Sequence, residues 1–244
     1  MSGIDLYLVA AAFGTAIVSG TLGMLGGILL LGLMTPIFPP AVLIPIHGIV
    51  QLTSNVSRTL MNLRDVDRRL VGSFAMGALL GGTIGSQVVV TLPETLYRIV
   101  LAVFILVLTW MPKLKGAPAL PFKFGWVGFV ATFLGLFIGA TGPFIAPFFV
   151  REPLGKVAVV ATKAACQVTV HTMKIAVFGL LGFAFGEYAA LLVAMSIASV
   201  GGNYVGKLLL GKVPEGAFRW VFKVVITALA ARLLWQGLTP PSPG

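Results

Sequence analysis

The apolar run from Leu6 to Met34 is the feature that most constrains this chain. It is too long for the core helix of a soluble domain, and glycine interrupts it in the middle. The interruption reads Ser19-Gly20-Thr21-Leu22-Gly23-Met24-Leu25-Gly26-Gly27. Each such glycine weakens a helix by roughly 1 kcal/mol relative to alanine. In a bilayer, backbone outside a helix is tolerated only where protein buries it or where it lines a cavity. Two readings follow. Either the glycines let neighbouring helices approach closely, or the helix breaks there and turns backbone N–H groups toward a ligand.

Composition decides the setting. Of 244 residues, 58% are hydrophobic and 10% charged, against about a quarter charged in soluble domains, and mean hydropathy is +1.03. The chain is read as an all-α integral membrane protein of about eight transmembrane helices. Its first apolar segment is too long, and too weakly basic at its start, for a cleaved signal peptide. The single cysteine, Cys166, excludes intramolecular disulfides and multi-cysteine metal clusters. No cofactor or metal is expected. The formal charge of +10 belongs to loops facing membrane lipids rather than to a nucleic-acid partner.

Spans are expected at about 5–34, 41–60, 70–91 and 94–111, forming an N-terminal repeat over 1–115. A linker at 116–124 follows, and a C-terminal repeat over 125–244 has spans at about 125–150, 156–182, 187–210 and 215–237. The repeat rests on register. At a shift of 116 residues Phe13 meets Phe129, Gly23 meets Gly139, Gly26 meets Gly142, Gln51 meets Gln167 and Thr53 meets Thr169. At a shift of 121, Pro93-Glu94 meets Pro214-Glu215 and Arg98 meets Arg219. The first helix of each four-helix repeat is therefore broken at a Gly-rich stretch. If each break is a simple crossing, both halves share one membrane orientation, with the repeat axis near the membrane normal. The loops after the second and fourth spans carry Arg64, Arg68, Arg69, Lys113, Lys115 and Lys123, so the positive-inside rule then puts both termini in the cytoplasm. A re-entrant hairpin at either break changes that parity.

The candidate site lies on the second span of each half. His47, Gln51, Asn55 and Arg58 recur at i, i+4, i+8 and i+11, a narrow polar stripe on an apolar helix. Their partners at the 116 shift are Lys163, Gln167, His171 and Lys174. Structural hydrogen bonding between helices competes as an explanation for the glutamines, and snorkelling competes for Arg58 and Lys174 near helix ends. Neither accounts well for Lys163, because an intramembrane ammonium costs about 3 kcal/mol without a partner. All seven acids, Asp5, Asp65, Asp67, Glu94, Glu152, Glu187 and Glu215, fall at span ends or in loops. The cations thus point to a visiting anion. Gly139-Ala140-Thr141-Gly142-Pro143 repeats the first break, with Pro143 placed to begin a fresh half-helix whose free N–H groups face that anion.

Gly20-x-x-Gly23-x-x-Gly26-Gly27, the apolar run after it and Pro36 resemble the sulfite exporter TauE/SafE family of membrane permeases. So do the Pro-rich turn, the polar second span with its basic loop, and the Gly/Pro break opening the second half, over about residues 10–235. The second break departs from a double glycine, having Gly142-Pro143. The resemblance implies a transporter in the cytoplasmic membrane for sulfur-containing anions such as sulfite, sulfoacetate or other organosulfonates.

The expectation is a secondary transporter of a small anion, with its site between the repeats. Gly23, Gly26, Gly27, Gly139, Thr141 and Gly142 supply backbone and hydroxyl donors, and Gln51, Asn55 and Gln167 supply amides. Lys163 supplies charge, His47 and His171 supply switchable charge and proton coupling, and Arg58 and Lys174 gate or attract the anion. An anion channel is the alternative. An enzyme is not expected: there is no G-x-S-x-G elbow, no H-E-x-x-H pair and no mid-span carboxylate to orient a histidine, and Cys166 reads as a small packing residue.

Overall fold

A computed structural model describes residues 2–22, 25–89, 94–110, 121–149, 152–209 and 215–239. The described residues form helices and no strand: α1 (Gly3–Leu22), α2 (Gly26–Met34), α3 (Pro40–Met61), α4 (Arg68–Val89), α5 (Glu94–Trp110), α6 (Lys123–Ile138), α7 (Gly142–Ile145), α8 (Lys156–Leu180), α9 (Ala189–Leu208) and α10 (Glu215–Leu238). Short 3-10 turns occupy Leu63–Asp65, Ala146–Phe149 and Phe185–Tyr188. Gly23, Pro93, Lys113, Lys115, linker residues 116–120 and Pro214, all invoked from the sequence, lie outside the described residues. The segments Gly3–Thr21 and Phe185–Leu208 are each long and apolar enough to cross a membrane. Leu80, Ile197 and Trp235 are among many large apolar side chains that remain more than half exposed, as a lipid-facing surface requires.

The first glycine break is a reversal of direction. Leu25, just before α2, takes φ 77°, a left-handed conformation costly for a branched residue. From there α2 runs back along α1. A Cβ added to Gly26 meets the Thr15 carbonyl oxygen at 2.0 Å and Ser19 Oγ at 2.1 Å, and Tyr7 OH near the start of α1 donates to the Leu33 carbonyl (3.4 Å). The second break behaves alike. Gly139 caps α6 with φ 82°, and the returning leg through α7 brings the Phe148 carbonyl within 3.3 Å of Lys123 Nζ at the start of α6. Lys123 also pairs with Glu152. Both breaks are therefore helical hairpins, which overturns the parity that a simple crossing implies.

Contacts fix the other directions. In α4 and α6, Gly77 meets Gly125, Gly81 meets Phe129 and Gly85 meets Phe133, so the two helices run parallel with backbones almost touching. The same sense holds for α1 and α9, where Gly202 meets Phe13 and Gly206 meets Ile17. By contrast α5 and α10 are antiparallel: Arg98 reaches Gln236 and Trp110 donates to Thr227 (2.9 Å). α3 and α8 are also antiparallel. His47 sits against His171 (ring centroids 6.1 Å apart), while the turn after α3 meets the start of α8 through Asp67 N–H donating to Thr162 Oγ1 (2.9 Å).

These directions define two faces. The terminal face holds the start of α1, the turn 35–39, the start of α5, the turn 181–188 and the end of α10; there Phe38 and Tyr188 meet edge to face. The far face holds the turn 62–67, the starts of α6 and α8 and the end of α9, joined by Lys207 Nζ donating to the Met61 carbonyl (2.8 Å). One hairpin enters from each face. Between them Leu30, Leu31, Ile44, Val50, Leu136 and Ile138 form the dry part of the core.

Candidate anion site between two hairpin tips

The hairpin tips converge on the middle of α3 and α8. There a small cavity, about 310 Å³ counted to its open mouth, is lined by Ser19, Leu25, Gly27 and Ile28 from the first hairpin and Ala140, Gly142 and Pro143 from the second. His47, Gln51 and Arg58 of α3, with Gln167 and His171 of α8, complete it. Its enclosed part has room for about one water molecule.

Glycine here gives amide side chains access to backbone. A Cβ on Gly27 would stand 3.1 Å from Gln51 Oε1, and one on Gly142 would stand 3.1 Å from Gln167 Nε2. The two contacts repeat across the cavity with the two glutamines that share a sequence register. The Gly27 carbonyl accepts a hydrogen bond from His47 Nε2 at 2.8 Å, which puts the proton on Nε2, and Nδ1 has no partner among the described residues. His171 Nδ1 and Thr141 Oγ1 are likewise buried without hydrogen-bond partners among the described residues.

Each tip is also held by a cation. Arg58 Nη1 donates to the Ser19 carbonyl (3.4 Å) and Arg58 Nη2 bonds Asn55 Oδ1, while Asn55 Nδ2 donates to the Gln51 carbonyl (2.7 Å). At the other tip Lys174 Nζ donates to the Gly139 carbonyl (2.6 Å). Arg58 and Lys174 are register partners, so equivalent side chains latch opposite hairpins. Lys163 is buried, makes no hydrogen bond or ion pair among the described residues, and lies within electrostatic reach of Arg58.

Seven residues singled out from the sequence therefore meet at the cavity: Gly27, His47, Gln51, Arg58, Gly142, Gln167 and His171. Six described ones do not line it. Gly26 packs against α1, as the close-approach reading of glycine holds. Gly139 and Lys174 bond each other, Asn55 braces Arg58, and Thr141 and Lys163 are buried beside the lining. Gly23 lies outside the described residues. Of the lining residues not singled out, Ser19 and Leu25 stood inside the glycine stretch and Ala140 and Pro143 inside its repeat; Ile28 carried no signal.

The expected fresh helix at Pro143 is only the four-residue α7, which passes into a 3-10 turn. Pro147 explains this, since it has no N–H to bond the Pro143 carbonyl and extend an α-helix. The two tips are thus unequal, and only α2 presents the N-terminus of a helix of two turns or more.

The family model for sulfite exporter TauE/SafE matches residues 8–233, a span that contains both hairpin tips, α3 and α8. The chain belongs to the TauE/SafE family. Neither the curated proteins nor the solved structures yielded a match. TauE/SafE proteins are membrane-embedded transporters, and the family is named for a small sulfur oxyanion. A cavity bounded by amides, imidazoles and a guanidinium has the chemistry such a ligand needs. In this TauE/SafE member the first glycine stretch divides its labour, Gly26 closing the hairpin and Gly27 facing the cavity.

Proposed function

We propose that this protein is a secondary transporter moving a small anion, a sulfur oxyanion or organosulfonate, across the cytoplasmic membrane through the cavity between the hairpin tips. One observation carries the reading. His47, Arg58, Lys163, His171 and Lys174 are all buried on α3 and α8, and no Asp or Glu is buried among the described residues. Buried charge of one sign is costly without compensation, and an anion bound at the cavity compensates it. Gln51 and Gln167 amides, with the backbone around Gly27 and Gly142, supply directional donors for oxyanion oxygens.

The two sequence halves form inverted repeats in this reading. Register partners α3 and α8 cross antiparallel, α5 and α10 do the same, and α1–α9 mirrors α6–α4. Inverted repeats with a midplane site between broken helices suit alternating access, in which one bundle rocks against the other. In proteoliposomes, sulfite or an organosulfonate is expected to exchange saturably, with counterflow from a preloaded lumen. Unsaturating, ohmic conductance instead assigns the protein as an anion channel, and absence of any sulfur-anion flux overturns the substrate assignment.

A further inference from the structure

The hairpins change where the basic loops fall. Arg64, Arg68 and Arg69 in and after the α3–α4 turn, Lys123 at the start of α6, Lys156 at the start of α8 and Lys207 at the end of α9 all lie on the far face. Near that face Lys223 stacks over the exposed Trp110 ring (4.6 Å), an interfacial aromatic with its indole N–H on Thr227. On the terminal face the described basic residues are Arg98 and Arg232, set against Asp5 and Glu187.

Counting each glycine break as a crossing splits these residues between two sides, because it gives the second half the wrong orientation. With each break a hairpin, α6 runs parallel to α4 and α8 antiparallel to α3. Lys156 and Lys207 then join Lys123 and the arginine cluster of the first half. A weak bias becomes a lopsided one. Basic residues in short connections are retained on the cytoplasmic side, where anionic headgroups also attract them.

We propose that the far face is the cytoplasmic face of this protein, and that the start of α1 and the end of α10 both lie on the opposite side of the membrane. This reverses the placement that follows from the crossing count. It does not depend on which anion is carried, since it rests on helix direction and charge alone.

Two measurements on the full chain in a bacterial cytoplasmic membrane test it. A C-terminal alkaline phosphatase fusion is expected to be active and a C-terminal green fluorescent protein fusion dark. Independently, Gly186→Cys in the exposed terminal-face turn is expected to react with a membrane-impermeant maleimide on intact cells, whereas Arg64→Cys, exposed on the far face, reacts only after permeabilisation. Cys166 is fully buried and stays silent in both. The reverse pattern, or equal labelling of both positions on intact cells, overturns the assignment.

Discussion

At the scale of single residues, adjacent glycines have different uses. Gly26 has the α1 backbone against its Cα, with the Thr15 oxygen 2.0 Å from an added Cβ, while Gly27 has only the Gln51 amide at 3.1 Å. Gly26→Ala is expected to destabilise the fold by about 1–3 kcal/mol through overpacking, seen as a lower melting temperature in detergent. Gly27→Ala is expected to fold normally and lose substrate-induced stabilisation. Equal melting temperatures for the two variants would contradict this division. The lysines separate in the same way. Lys174→Met leaves the Gly139 carbonyl buried and unpaired, a loss of about 1–3 kcal/mol. Lys163→Met removes a charge that has no partner among the described residues, so the melting temperature should hold or rise while sulfite-induced stabilisation falls. A loss of stability from Lys163→Met comparable to that from Lys174→Met would refute the assignment of Lys163 as an anion-compensating charge.

Between elements, close backbone packing joins the halves alongside hydrogen bonds such as Trp110 to Thr227 and Asn203 to Ser54. α4 and α6 approach until an added Cβ at Gly77 falls 1.7 Å from the Gly125 carbonyl oxygen, and α1 and α9 do so around Gly202 and Gly206. Such parallel, glycine-mediated contacts gain dispersion along the whole helix and exclude lipid. Gly77→Leu cannot be absorbed by rotamer change, because the obstacle is backbone. Little monodisperse protein is expected on size exclusion, whereas Gly72→Leu on the same helix, with open space around its Cα, should behave as the native chain. Hydropathy located these helices well, but the choice of partner was not legible: glycine spacing marks a helix as able to pack closely without saying against what.

For the whole molecule, the consequence is an interior of one charge sign between two oppositely directed hairpins. In the proposed transporter, proton coupling is assigned to His47 and His171, whose rings meet at 6.1 Å and whose Nδ1 atoms have no hydrogen-bond partner among the described residues. The double variant His47→Gln/His171→Gln is expected to transport with a flat pH profile between pH 5 and 8, the range in which imidazole switches charge. A pH dependence surviving in that variant would remove the histidines from the coupling step. The pairing of the two rings was only half legible in the sequence. Both lay on polar stripes, but the register shift aligns His47 with Lys163, and only antiparallel packing of α3 on α8 brings His47 to His171.

Composition and pattern by themselves determined that this chain is a helical membrane protein, that two glycine-rich stretches interrupt its helices, and that polar, cationic stripes follow them. Those properties are local: hydropathy, glycine content and spacing act within a helix or its immediate neighbours. The tertiary structure alone decided that each interruption reverses the chain. The sign of φ at Leu25 and Gly139 and the contact of Gly26 with α1 are products of packing, and hydropathy reads the same along a helix that crosses and one that turns back. From that single choice follow the directions of α6 to α10, the meeting of Gln51 with Gln167 across one cavity, and the gathering of the basic turns on one face.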